Sequence, residues 1–131
     1  MNEALIVDAS AVVDVLIDGP SAGAIRNRLR NNELHAPAHL DFEVLSALGR
    51  LHRAGELSAA RVSQLLESFK RLLVRRHLLE SLLASAWAYR HNLRLADALY
   101  AVLSDQHAMP VVTIDRGMVA AIPRAEAPSS P

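Results

Sequence analysis

Apolar residues along this chain fall into two kinds of run that alternate with each other. Leu5-Ile6-Val7 and Val111-Val112-Thr113-Ile114 are short and unbroken, and predict buried strands. Each stops at an aspartate, Asp8 and Asp115 respectively. Longer stretches repeat apolar residues at three and four positions and predict helices. One covers residues 9–17 and closes at Asp18-Gly19-Pro20. A second turns Ile25 and Leu29 inward and leaves Arg26, Arg28 and Arg30 in solvent. Leu34 to Ala36 predicts a short strand before Pro37. The stripe Leu40, Val44, Ala47, Leu48 and Leu51 predicts a helix over 38–53, which Gly55 ends. Ser58 is the expected N-cap of a helix through 61–72. A strand over 73–75 follows, then helices over 79–91, stopped by Asn92, and over 97–107. After Ile122 the chain turns to Pro, Ala and Ser, so residues 1–124 are read as the folded unit and 125–131 as a disordered tail.

Strands alternating with helices predict an α/β fold with a central parallel sheet, because parallel neighbours need crossover connections. Ligands bind such sheets outside the carboxyl ends of the strands, which directs attention to the residues that end Leu5–Val7 and Val111–Ile114. Composition narrows the chemistry further. The 131 residues suffice for one domain with a real core, and the absence of cysteine excludes a disulfide frame, a cysteine zinc site and a thiol nucleophile. Any metal must then be held by oxygen or His, which favours Mg²⁺ or Mn²⁺ over zinc. Net charge is zero, so it argues neither for nor against nucleic acid; Lys70 is the sole lysine among fourteen cations. No signal peptide and no long apolar span is visible, so a cytoplasmic protein with no membrane segment is expected.

Four acids stand out. Asp8 and Asp115 project toward one rim of the sheet, with Ser10 two residues after the first and Thr113 two before the second. Either aspartate alone reads equally as a helix cap or turn residue. Glu43 lies about 60° from Leu40 on the helical wheel, at the margin of the apolar stripe, where a carboxylate needs a compensating partner. An arginine at the rim would serve; so would a metal. Asp97 follows Leu95-Ala96 and opens the helix that carries Leu99, Val102 and Leu103, again a position that a simple N-cap would explain. Asp41 is farther from the stripe and reads as solvated. Four carboxylates in one site would suit a hard divalent ion, which polarises a phosphoryl oxygen and activates water.

Leu5-Ile6-Val7-Asp8-Ala9-Ser10 resembles the opening of a PIN domain. The helical Glu in Phe42-Glu43-Val44-Leu45-Ser46-Ala47-Leu48 is similar to that family's second acidic motif, Leu95-Ala96-Asp97-Ala98-Leu99-Tyr100 to its third, and Val112-Thr113-Ile114-Asp115-Arg116 to its fourth. The order and chain length resemble VapC-type toxins. The resemblance implies a three-layer α/β/α fold and a Mg²⁺- or Mn²⁺-dependent endoribonuclease acting on structured RNA. It also implies a homodimer and inhibition by a small antitoxin protein. Asp8, Glu43, Asp97 and Asp115 fill the family's catalytic and metal positions, with Ser10 and Thr113 as supporting polar groups.

The remaining polar residues carry less. Arg71, Arg75, Arg76 and His77 form one cluster and Arg50, His52 and Arg53 another; either could meet RNA phosphates, but solvated helix faces account for most of them. The six histidines show no zinc-site spacing and read as solvated or locally bonded. Trp87 and Tyr100 fall in apolar patterns and read as packing residues. Three rival readings stand beside this one; a nuclease that cuts DNA flaps needs extra elements to thread the strand, for which this chain has little room. A phosphate-accepting receiver domain needs a lysine after a late strand, and Lys70 lies in a helical stretch instead. A noncatalytic PIN-like RNA- or protein-binding module remains the alternative, since fold alone does not establish turnover.

Overall fold

The apolar runs become strands in the computed structural model, which describes residues 2–129. Five strands, β1 (Ala4–Val7), β2 (Glu33–Pro37), β3 (Val74–His77), β4 (Val111–Val112) and β5 (Ala125–Glu126), form one sheet in the order β3-β2-β1-β4-β5. Every pairing is parallel. Seven helices connect them: α1 (Ala9–Leu16), α2 (Ala22–Leu29), α3 (Leu40–Arg53), α4 (Ala59–Arg71), α5 (Leu83–Trp87), α6 (Leu95–His107) and α7 (Arg116–Ala121).

The pleat divides the core into two layers. Leu5 and Val7 of β1, with Leu34 and Ala36 of β2, pack against Ile25, Leu40, Val44, Leu48, Leu65 and Phe69 from α2, α3 and α4. Ile6 and Val111 point to the other face and meet Tyr100, Leu103, Met118 and Ile122. The result is the expected three-layer α/β/α arrangement. The α3 stripe lies where its periodicity places it, with Leu40, Val44 and Leu48 fully buried. Each such side chain contributes about 1.5–3 kcal/mol through removal from water. The β3 edge carries exposed Arg75 and Arg76, charges that discourage pairing with another chain.

The chain runs outward from β1 to β2 and β3, then returns to place β4 on the other side of β1. The strand order therefore reverses between β1 and β4, and a crevice opens beyond their carboxyl ends. Asp8 follows β1 directly and Asp115 lies three residues after β4, so the two acids flank that crevice. The α1–α2 turn is fixed by a residue that the sequence pattern left unremarked. Buried Asp14 accepts a hydrogen bond from the Ser21 amide at 2.9 Å, and Gly19 packs so close that a Cβ there would lie 2.1 Å from an Asp14 oxygen.

Several expectations need correction. Residues 79–91 are not one helix. A 3-10 turn (Glu80–Leu82) leads into the five residues of α5, and three-residue turns such as Tyr89 N–H to Ala86 O follow. These turns bring Leu79, Tyr89 and Leu93 back onto Leu82, Ala86 and Ala98, which a straight helix would not do. The predicted strand over 111–114 is regular only at Val111–Val112. That over 73–75 is displaced to Val74–His77. The chain does not fray at residue 125: Ala125–Glu126 pairs with β4, and Glu126 bonds Arg28. Residues 130 and 131 of the expected tail lie outside the described residues. Arg28 is correspondingly not a free surface cation, since it also holds Glu3 at 2.9 Å. Asp41 is half exposed yet pairs with Arg76 at 2.7 Å.

Candidate active site

The crevice at the switch point is a cleft of about 660 Å³. Asp8, Ser10, Glu43, Asp97 and Asp115 all line it, so five of the six residues singled out in the sequence come together. Thr113, the sixth, lies fully buried beneath Asp8.

Asp8 is 4 % exposed and is held by three donors. Its Oδ1 accepts from the Ala11 amide at 3.0 Å and from Ser10 Oγ at 2.8 Å, and its Oδ2 accepts from Thr113 Oγ1 at 2.7 Å. Each hydroxyl in turn accepts a backbone amide after β4: Ile114 N–H to Ser10 at 3.1 Å and Asp115 N–H to Thr113 at 2.9 Å. The two hydroxyls thus tie the end of β1 to the chain leaving β4. Burial raises the Asp8 carboxyl to about 6, outweighing those hydrogen bonds, and the nearby charge of Glu43 adds to the rise. A carboxylate so placed favours any arriving cation.

Glu43 leans from α3 toward α6. Tyr100 donates its phenol hydrogen to Glu43 Oε1 at 2.7 Å, and His39 Nε2 lies 3.4 Å from the same oxygen. The compensating partner is therefore a tyrosine and a histidine, not an arginine. Burial, followed by the Glu43 charge, keeps the Tyr100 hydroxyl firmly protonated and able only to donate to that carboxylate. His39 Nε2 also lies 2.8 Å from the Ala96 carbonyl, and its ring packs against Tyr100 at 5.0 Å.

Asp97 is 8 % exposed, but it does not cap its helix. The N-cap is Arg94, in extended backbone, and Asp97 sits in the first turn. Arg94 reaches over it, with Nε 3.1 Å from Oδ2 and Nη2 3.4 Å from Oδ1. Arg94 is held charged by Asp97 above all, and the fields of Asp115 and Glu43 reach it as well. Asp115 does cap α7, accepting from the Met118 amide at 3.0 Å, just as Asp8 caps α1. Capping and membership of the cleft are two uses of the same carboxylates, not competing explanations.

Sequence reasoning missed His39, Tyr100 in its polar role, and Arg94. The first two act on Glu43 from positions 4 and 57 residues away, and only the His39–Glu43 spacing of one helical turn was available as a signal. Trp87, expected to pack, is 58 % exposed with the Arg90 guanidinium 5.0 Å from its ring centroid. It borders a smaller apolar hollow of about 350 Å³ with Leu83, Leu95 and Leu99.

The sequence profile of the PIN domain matches residues 5–122. Ribonuclease VapC3 of Mycobacterium tuberculosis is 48% identical over 126 residues, covering 95% of this chain and 92% of that protein. The chain is a PIN-domain protein of the VapC family. Two solved structures under 25% identical share the PIN fold. VapC20 of M. tuberculosis, described as a Sarcin-Ricin loop cleaving toxin, has a TM-score of 0.68 at 14% identity, covering 89% of this chain and 94% of that one. A toxin–antitoxin complex from Klebsiella pneumoniae has a TM-score of 0.58 at 15% identity, covering 95% and 98%.

The donor set of this PIN domain suits a hard divalent ion, because five carboxylates (the four acids and Asp14) and no sulfur line one cleft, and the most buried of them has its acidity suppressed by burial. Among the described residues, however, no three acidic or histidine side chains already form an arrangement that could hold an ion. Asp97 is engaged by Arg94, Glu43 by Tyr100, and Asp115 by the Met118 amide. Among the described residues no helix is long and apolar enough to cross a membrane.

Proposed function

We propose that this PIN domain is a Mg²⁺- or Mn²⁺-dependent endoribonuclease of structured RNA and the toxin of a VapBC-type pair. The single observation that carries the reading is the convergence of Asp8, Glu43, Asp97 and Asp115 on the crevice between β1 and β4. In this reading Asp8 and Asp97, the two of these four acids that are buried, hold the ion, and Glu43 and Asp115 complete its surroundings directly or through water. When bound, the ion supplies charge for the scissile phosphate and lowers the pKa of a water.

The chain's own residues do the rest. Ser10 and Thr113 keep both Asp8 oxygens aimed into the cleft, so little reorganisation is needed there. Tyr100 fixes the Glu43 rotamer and leaves its second oxygen open to the cleft for a proton or a water. Arg94, exposed and flanked by three acids, releases Asp97 when a stronger cation arrives and is then free for an RNA phosphate.

A small antitoxin protein is the expected inhibitor, in keeping with the toxin–antitoxin complex among the structural neighbours. A homodimer is supported by Phe42, Leu83, Trp87 and Leu95, large apolar side chains left in solvent by the single chain. Such an enzyme meets its RNA in the cytoplasm.

The test is cleavage of a structured RNA by the purified chain in Mg²⁺ or Mn²⁺ against excess chelator. Asp8→Asn, Glu43→Gln, Asp97→Asn and Asp115→Asn are each expected to lower the rate, the first and third by about 10²-fold or more. Chelator-resistant cutting removes the metal from the mechanism. RNA binding without cutting in any metal makes the chain a binding module.

A further inference from the structure

Glu43 and Asp97 stand on helices that belong to different layers of the fold. Leu40, Val44 and Leu48 of α3 pack with Leu5 and Val7 on one face of the sheet. Tyr100, Ala101 and Leu103 of α6 pack with Ile6 and Val111 on the other. Apolar packing on opposite faces leaves the separation of these two acids to whatever joins the helices around the carboxyl rim of the sheet. Among the described residues two side-chain hydrogen bonds do so: Tyr100 to Glu43 at 2.7 Å, and His39 Nε2 to the Ala96 carbonyl at 2.8 Å.

We infer that His39 is a positioning residue, which holds Glu43 and Asp97 at the separation that a shared divalent ion needs; the inference rests on the metal reading of the cleft. A carbonyl can only accept, so Nε2 carries the hydrogen and donates it to Ala96, the residue before Asp97. Glu43 Oε1, at 3.4 Å, is too distant to be the main acceptor of that hydrogen. His39 is also the N-cap of α3, and its own carbonyl accepts the Glu43 amide at 3.0 Å. One residue therefore grips the turn of Glu43 through its backbone and the turn of Asp97 through its ring.

The other ring nitrogen shows that packing alone does not account for a histidine here. The ring lies against Tyr100, centroids 5.0 Å apart, and borders both the acidic cleft and the apolar hollow. Among the described residues, His39 Nδ1 is the sole buried side-chain nitrogen or oxygen with no hydrogen-bond partner. A buried acceptor left unpaired is a net cost to the fold. Phenylalanine would fill the same place without that cost. What histidine adds is the Nε2 hydrogen, aimed at the strip of chain that carries Asp97. A group that fixes a ligand from behind in this way commonly governs metal affinity about tenfold or more.

The test compares His39→Phe, which keeps a ring against Tyr100 but has no hydrogen to give, with His39→Gln, whose amide takes the place of the Nε2 donor. Calorimetric titration of the full chain with Mg²⁺ or Mn²⁺, without RNA, reads the ion directly, and melts in chelator read the fold. His39→Phe is expected to melt within a few degrees of wild type and to bind the ion about tenfold more weakly. Its kcat on RNA is expected to fall by a similar factor with KM little changed. His39→Gln is expected to recover most of the lost affinity. A His39→Phe protein that binds the ion as tightly as wild type overturns the inference. So does His39→Gln binding no better than His39→Phe, which would assign the effect to the ring and not to its hydrogen. Wild type that binds neither ion refutes the metal reading itself and takes the inference with it, an outcome distinct from the other two. Should His39→Phe not fold, the nitrogen NMR resonances of His39 in wild type decide: a hydrogen on Nε2 is expected, and a hydrogen on Nδ1 overturns the inference.

Discussion

Asp8→Asn in the metal-free protein probes the electrostatics of the cleft without reference to catalysis. Burial lifts the Asp8 carboxyl from 3.8 to about 6, so at neutral pH the folded chain holds a charge it would hold more cheaply when unfolded. That difference of about two units corresponds to a penalty of about 3 kcal/mol. The sign follows from proton counting. Between pH 3.8 and 6 the folded state binds more protons at Asp8 than the unfolded state, so this penalty disappears as pH falls through that window. Asparagine carries no charge and keeps the cap on α1, although it loses part of the acceptor strength offered to Ser10 and Thr113. Urea melts of both proteins in chelator, at neutral pH and near pH 4, isolate the term, because most other groups cancel in the difference. Wild type is expected to gain about 3 kcal/mol relative to Asp8→Asn on acidification, about 10 °C in Tm for a chain of this size. A difference that stays flat, or that moves against wild type as pH falls, would show that Asp8 is not desolvated and refute the reasoning. At neutral pH, Mg²⁺ is expected to stabilise wild type and leave Asp8→Asn nearly unmoved.

Tyr100→Phe removes the one phenol bonded to Glu43 and is expected to cost about 1–2 kcal/mol in stability and about tenfold in kcat, with KM for RNA little changed; an unaltered kcat would make the contact merely structural. Arg94→Ala frees both Asp97 oxygens, so the Mg²⁺ concentration for half-maximal activity is expected to fall severalfold while RNA affinity weakens. A higher Mg²⁺ requirement would mean that Arg94 organises the ion instead of competing with it. Gly19→Ala places a methyl 2.1 Å from an Asp14 oxygen and is expected to destabilise by about 2–3 kcal/mol, read by urea melts, unless Asp14 can turn away from the Ser21 amide.

What could be read in advance was whatever the chain encodes locally. β1, the α3 stripe and the Ser58 cap follow from neighbouring residues, and the structure has them. The shared rim of Asp8 and Asp115 followed too, because two apolar runs ending in aspartate have few ways to sit in a parallel sheet. Elements defined by distant partners stayed hidden. Ala125–Glu126 has no apolar pattern of its own and is a strand because β4 and Arg28 receive it. Residues 79–93 hold a helical spacing of apolar groups, yet packing on α6 winds them into tight turns. Asp97 read as a cap because nothing local says that Arg94 will take the extended conformation three residues earlier. The partners of Glu43 and the meeting of His35 with His77 are contacts across the fold, with no sequence period to betray them.

Two acids of the cleft, Asp8 and Asp115, also begin helices. A cap needs only an oxygen that accepts an amide hydrogen, and asparagine provides one as well as aspartate does. The genetic code separates the two amino acids by a single base. A single-base change of either aspartate to asparagine is therefore expected to disarm the chain without unfolding it, leaving a full-length decoy with its surfaces intact. On the proposed reading of a toxin held by an antitoxin, escape by point mutation would leave behind a folded competitor for that antitoxin, so inactive and active copies in one cell would draw on the same pool of inhibitor.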